Sequence, residues 1–455
     1  MPDKPPSART RLYQPLNLTD GSGQAKSSPT GHTCRTTRIC TCAPCPQTRL
    51  DRLKCDSLEH RLQPAPEAPP CPKLVKESNH APSDPRQTGV DILRPVATES
   101  RRTPLHPAHL KLGGRMVEFA GYDMPVQYKG VIAESKAVRA AAGMFDVSHM
   151  ARLKFTGGRV LEFLELVTAN DVAALGDMRG QYSMLPNESG GLVDDIILYH
   201  MNEGEYRMVV NAANHEKDVA HLKKHNDHGV EIEDYSDKTA MIAVQGPKAA
   251  EIVAGLSDDP EAITGSSFFD IVETTVAGAD CFCARSGYTG EDGYELICPA
   301  AEALDLWDAL VGAGVEPCGL GARDVLRLEA GLPLYGHELT DDMSPIAAQL
   351  GWAIGKEKSF LGSDHINRAR EEGVPQKLRG IRFDAKRLPV PGMRVLVGGE
   401  QVGQLCSGVF SPTLDCGLAM AYLDSSVKLK TPCEVDVRGR LQPAMVVSKR
   451  FYKRS

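Results

Sequence analysis

The stretch GGLVDDIILYH, residues 190–200, decides how this chain is read. Two glycines set a turn, and Leu192, Val193, Ile196, Ile197, Leu198 and Tyr199 then form an apolar strand. Asp194 and Asp195 sit side by side inside that run. Successive strand residues point to opposite faces, so only one of the two acids can face a given cavity. The apolar residues that follow draw at least one acid toward the interior, where a carboxylate needs a partner. The plainer reading leaves both at an exposed strand start.

Outward from this stretch, strands and helices alternate, with many neighbouring strands joined by short turns. That pattern favours α+β antiparallel sheets with helices on one face over a doubly wound parallel sheet. Residues 113–128 have strand–turn character. Residues 131–150 read as a helix running into a loop, with Gly143 as its stop. Residues 205–229 read as a strand, an Asn214 cap, a helix and a Gly229 stop. "ADCFCARSGYTGEDGYELICP" reads as a pair of hairpin strands, and "AEALDLWDALVGAG" as an amphipathic helix. From about residue 372 short strands with Gly and Pro turns take over, which predicts a small β-barrel or jelly-roll domain. The expected division is 1–100, 101–371 and 372–455.

The 455 residues allow two or three domains. No window approaches the apolar length of a membrane span, and the N-terminus lacks the apolar core of a secretory signal. A net charge of -7 argues against a general nucleic-acid binder, although it leaves room for a local basic pocket. Residues 1–100 hold 15 of the 31 prolines and little apolar periodicity, so they read as a disordered arm. Their cysteines include one C-x-x-C pair, Cys42 and Cys45, without the second pair of a zinc ribbon. A mitochondrial transit peptide is disfavoured by ten acidic residues in the segment. A later start would need a non-Met codon, because the next methionine after Met1 is Met116. The seven cysteines beyond the arm suit reduced, partly buried thiols.

The chemistry lies in polar groups at or beside turns. His221, His225 and His228 fall at i, i+4 and i+7, but Lys223, Lys224 and Asp227 surround them, so a solvated face is expected and no metal. "GLGARD" lacks the full dinucleotide fingerprint and reads as a helix cap. "SGYTGEDGYE" gathers Tyr288, Glu291, Asp292 and Glu295 around glycines. Arg323 falls in the first turn of a helix, where a cation opposes the dipole and calls for a nearby anion. An Arg with carboxylates and tyrosines suits a flat polar heterocycle with an acidic tail. Salt bridges and solvated hairpins are the structural alternatives.

"FAGYDMPVQY", "FDVSHM", "GGLVDD", "VVNAANHEKD", "GYTGEDGYE" and "GLGARDVLRLEAGLPLYG" closely resemble the T-protein family of the glycine cleavage system, the tetrahydrofolate-dependent aminomethyltransferases. The resemblance covers about 101–455. It implies a three-domain cloverleaf, with two ferredoxin-like antiparallel-sheet domains and a C-terminal β-barrel or jelly-roll. It also implies tetrahydrofolate as co-substrate and the lipoyl-bearing H-protein as partner, with no metal, nucleic acid or membrane. By the same resemblance Asp195 is the catalytic carboxylate, and Glu295 and Arg323 are pterin and substrate contacts. Tyr182, Asn211 and Tyr288 match further pocket positions, and Tyr452 a C-terminal tyrosine. A monomer is expected, in a bacterial cytosol or, for a eukaryotic source, the mitochondrial matrix. The alternative is a folate-binding relative of the iron–sulfur maturation type. Its K-G-C-Y-x-G-Q signature is replaced here by "EKSFLGSD", without the cysteine.

Overall fold

The computed structural model describes residues 100–454. The readings made for residues 1–99, namely the disordered arm, the Cys42–Cys45 pair, the transit-type leader and the alternative start, lie outside these. Leu192–Asn202 is a strand, paired antiparallel with Arg179–Pro186 on one side and Glu205–Val210 on the other. Gly190 adopts φ +80°, a left-handed value that a side chain would resist. A Cβ on Gly191 would lie 1.7 Å from the Asp341 carbonyl oxygen. The two glycines therefore turn the chain and let the 340–341 loop sit on the start of the strand.

This strand belongs to a five-stranded sheet. Its order is Arg179–Pro186, Leu192–Asn202, Glu205–Val210, Ala151–Thr156, Glu231–Asp234. A six-stranded sheet runs Ile271–Val276, Ala279–Ala284, Gly293–Pro299, Thr239–Gln245, Gly143–Asp146, Glu316–Pro317. The two sheets share one plan. A strand and helical segment lead to an edge strand, two central strands follow, and after a second helix the last strand returns on the far side of the first. That is ferredoxin-like connectivity with an added edge strand.

Two local expectations are corrected in the six-stranded sheet. The helix Val131–Ala140 ends before Gly143, which opens a strand rather than a loop. A Cβ on Gly143 would meet Val138 and Cys318 at 2.5 and 2.7 Å, so the glycine is a packing requirement and not a helix stop. Gly143–Asp146 is slotted between the first and last strands of the repeat, and its pairing with Glu316–Pro317 is parallel. A strand this short carries too little periodicity to be read from sequence.

The two sheets pack through Phe145, Tyr199, Met241, Val209, Phe282 and Ile297. Val160–Val167 and His215–Lys224 cover the outer face of the first, Ala249–Leu256 and Ala303–Gly312 that of the second. Fully buried side chains such as Phe163 and Leu164 each stabilise the fold by about 1.5–3 kcal/mol. Strands between Gln376 and Val447 close a six-stranded barrel filled by Ile381, Phe383, Val395, Leu405, Leu423 and Val435. The helix Leu320–Ala330 joins these parts. Its Ala322 and Leu326 enter the core between the sheets, and its Val325 and Leu328 pack with barrel residues Leu418 and Met420. Among the described residues no helix is long and apolar enough to cross a membrane.

Candidate active site

The pleat separates the two acids. Asp194 alternates with Ile196 and Leu198 toward the helix His215–Lys224 and is fully buried. Asp195 points the other way, with Ile197, and is half-buried. Tyr182 lies across from Ile197 on the next strand, which brings its hydroxyl within reach; it donates to Asp195 Oδ2 at 3.0 Å. Asn211 follows the strand Glu205–Val210 and holds both acids. Its backbone N–H donates to Asp194 Oδ2 at 2.8 Å, and its amide donates to Asp194 Oδ1 at 2.8 Å and Asp195 Oδ1 at 3.0 Å. Asn214 does occupy the N-cap of the following helix, but its side chain makes no capping bond. Its amide donates instead to Asp194 Oδ1 at 2.6 Å. The helix itself stops at Lys224, short of Gly229.

A third acid, Asp218, reaches Asp194 from that helix and is also fully buried. Among the described residues none of the three carboxyls forms an ion pair with Lys or Arg; Lys217 acts on Asp218 only as a nearby charge. Two ionised carboxyls about 4 Å apart repel by roughly 4 kcal/mol at an effective dielectric of about 20. The start of a helix favours an anion by at most about 2 kcal/mol. Proton affinities rise accordingly. Burial, then the charge of Asp194, pushes Asp195 up to about 7. The same two causes push Asp218 up to about 11. Burial also raises Asp194.

A second group faces the first. Glu295 sits in the strand Gly293–Pro299 and accepts from Ser286 Oγ at 2.5 Å. It is the strongest charge acting in favour of the Arg323 cation, whose pKa burial lowers. Arg323 lies 4.9 Å from the centre of the Tyr288 ring, and its buried Nη1 has no hydrogen-bond partner. The Tyr288 hydroxyl donates to the Pro333 carbonyl. The charge of Asp195 acts on Tyr182 and on Tyr288, and the charge of Arg323 on Tyr288, so the two groups share one electrostatic environment. Tyr452 borders them. It packs against Gly290 in the turn that carries Tyr288, and Arg139 lies 3.8 Å over its ring.

Sequence reasoning passed over three residues here. Asn214 was read only as a helix cap and Asp218 was not singled out, because the partner of both, Asp194, lies on a strand distant in sequence. Trp352 is 69% exposed yet stacks on Tyr182 at 5.5 Å and 23°. The signal for it was a tryptophan between Gly351 and Gly355, in the short helical turn Gly351–Ala353. His221 and His225 are half-buried, with ring centres 4.8 Å apart, rather than fully solvated. Among the described residues no group of three or more His, Cys, Asp or Glu is placed to hold a metal ion. A cleft of about 530 Å³ lies away from this chemistry, lined by Lys154, Arg207, Tyr235, Phe282 and Ile297 from both sheets. Its cations are already paired, Lys154 with Glu205 at 2.9 Å and Arg207 with Glu205 at 3.1 Å.

Two ferredoxin-like sheets, a six-stranded barrel and a carboxyl cluster without a cation set the architecture against which relatives are compared. The family model for the GCVT N-terminal domain matches residues 105–358, and that for the glycine cleavage T-protein C-terminal barrel domain matches 376–453. An aminomethyltransferase of Thermus thermophilus is 49% identical over 76% of this chain and 97% of its own length. One of Bacillus subtilis is 41% identical over 78% of this chain and 99% of its own. The crystal structure of the glycine cleavage system aminomethyltransferase T from Bartonella henselae superimposes with a TM-score of 0.73 at 34% identity, covering 78% of this chain and 98% of that one. These matches define an α+β aminomethyltransferase with a C-terminal barrel. The chain belongs to the glycine cleavage T-protein family.

Proposed function

We infer that this aminomethyltransferase moves the aminomethyl carbon from the lipoyl arm of the H-protein to tetrahydrofolate, with release of ammonia, and that Asp195 is its catalytic carboxylate. The observation that carries the assignment is a half-buried acid raised to about 7, held by Tyr182 and Asn211 with no cation to fix its charge. A group so placed can hold or release a proton at working pH. The surrounding residues suit a reduced pterin. Tyr182 and Trp352 offer an aromatic stack, Arg323 an unpartnered Nη1 donor, and Glu295 a buried acceptor.

Folate, when bound, supplies the amine that receives the one-carbon unit. One carboxylate oxygen of Asp195 would accept a hydrogen bond from that amine and take up its proton, while the carbon's bonds to sulfur and nitrogen break and the displaced protons end on ammonia and on the reduced lipoyl thiol. Tyr182 and Asn211 hold the carboxylate so that both oxygens stay aligned. Tyr288 shapes the wall beneath Arg323, and Tyr452 closes the side nearest Gly290. No enzyme nucleophile is required, so most of the rate comes from positioning two substrates. The bacterial relatives support a cytosolic setting.

The test uses the full chain with aminomethylated H-protein and tetrahydrofolate, following ammonia. Folate-dependent release that collapses in Asp195→Asn supports the assignment. Folate binding without ammonia release in the wild type overturns the transfer reading, and a fully active Asp195→Asn overturns the role of Asp195.

A further inference from the structure

Asp218 is buried, acidic and unused by the chemistry above. Both of its carboxyl oxygens lack a donor. The group that acts on it most strongly is another carboxyl, Asp194, which lies within reach of a shared proton. Two carboxyls in such contact need a proton between them. Asp194 already receives three hydrogen bonds, at 2.8 Å from the Asn211 N–H, 2.8 Å from the Asn211 amide and 2.6 Å from the Asn214 amide. An acid supplied with three donors is the better anion, and an acid with none is the better proton holder.

We propose that Asp218 is a positioning residue that stays protonated and donates to Asp194, keeping Asp194 an anion whose charge sets the proton affinity of Asp195. The inference rests on Asp195 being the working carboxylate. The route is short. Asp194 and Asp195 share the Asn211 amide, and the charge of Asp194 is the strongest charged influence on Asp195. The other groups facing this cluster are consistent with one shared proton. Tyr182 and Tyr335 approach with neutral hydroxyls, the latter bound to the Leu192 carbonyl at 2.9 Å. From the helix, Lys217 turns away to Tyr335 and Asp341 at 2.7 and 3.2 Å. No covalent step is involved; the proton remains on the Asp218–Asp194 pair throughout.

Two variants and two readouts test this. Infrared difference spectra of the full-length protein, wild type minus Asp218→Asn, should show a protonated carboxyl band at pH 7.5. That readout needs no turnover, so it stands or falls separately from the transferase assignment. In the kcat/KM profile, Asp218→Asn keeps a donor to Asp194 and should leave the limb governed by Asp195 unmoved. Asp218→Leu removes the donor, lets Asp194 take the proton, and should shift that limb to lower pH by about one unit or more. Absence of the infrared band overturns the proposal. So does an Asp218→Asn limb displaced to lower pH, since that means the wild-type residue is ionised. If Asp218→Leu fails to fold, the band and the Asp218→Asn profile still decide.

Discussion

Among the described residues, two of the buried acid clusters are handled in opposite ways. At one, Arg139 draws in Glu291 at 2.7 Å and Glu329 at 2.8 Å. Glu329 also accepts from Ser411 at 2.5 Å and Thr413 at 3.0 Å, and Arg139 donates to the Thr289 carbonyl at 2.8 Å. The helix Val131–Ala140, the 286–292 turn, the helix Leu320–Ala330 and the barrel all meet at that knot. At the other, Asp194, Asp195 and Asp218 meet, and among the described residues the donors to the first two are amides and a hydroxyl. A cation makes buried acids into a permanent joint, because their charge is settled. Without one, burial and mutual repulsion raise their proton affinities toward the range where chemistry happens. The first cluster should therefore govern stability and the second activity.

The largest expected effect is on the second cluster. Asp195→Asn should lower kcat by roughly 10²–10⁴-fold, measured as ammonia release, with no loss of thermal stability. A comparable drop in melting temperature would break the contrast. Next, Arg139→Ala leaves Glu291 and Glu329 buried without their cation and should cost about 3–5 kcal/mol in urea unfolding. Turnover per folded molecule, measured at low temperature, should fall far less than in Asp195→Asn. Tyr182→Phe removes a hydrogen bond to an anion worth about 1.5–3 kcal/mol. It should cut kcat/KM about ten- to a hundredfold and move the activity limb of Asp195 upward in pH, since that hydroxyl favours the ionised form.

A smaller effect is a slope. Asp218 holds its proton in the folded protein up to about 11, while an unfolded Asp releases it near 3.9. Between those values the folded state binds more protons, so stability falls as pH rises, by about 1.4 kcal/mol per unit. Across pH 7 to 8 this contribution is read as the difference between wild type and Asp218→Asn, because Asp195, raised to about 7, also titrates there and adds to the fall. His149 and His221, lowered by burial to about 4, contribute little there, whereas Lys449, lowered to about 8, is half titrated at the upper end and partly offsets the fall. Urea unfolding across that interval should show the fall in wild type and a shallower one in Asp218→Asn. Least of all, Lys217→Met breaks a partly exposed contact to Asp341 and should change stability by less than about 1 kcal/mol.

The contrast between the clusters was only half visible in the sequence. The glycine pair, the apolar run and the embedded acids of 190–200 declare both the strand and its oddity. The change of texture near residue 372 precedes the barrel strand that begins at Gln376. Arg323 in a first helical turn signals an anion, and Glu295 answers it. What stayed hidden depends on pairing across the sheet. Asp218 is an ordinary first-turn acid until its helix is laid over Asp194. Asn214 reads as a cap because its side chain's alternative partner is 20 residues away. Gly143–Asp146 is too short to announce itself, and its parallel neighbour comes from far along the chain.

The most direct test of the account is the titration of Asp195 itself. Carbon-13 carboxyl NMR of the full-length protein, with Asp195→Asn used to assign the signal, reads its ionisation without any substrate. A midpoint near 7 is the result predicted for a half-buried acid beside an anion and without a cation. A midpoint near 4, the value of an ordinary exposed Asp, would contradict it and return the cluster to the status of a structural joint.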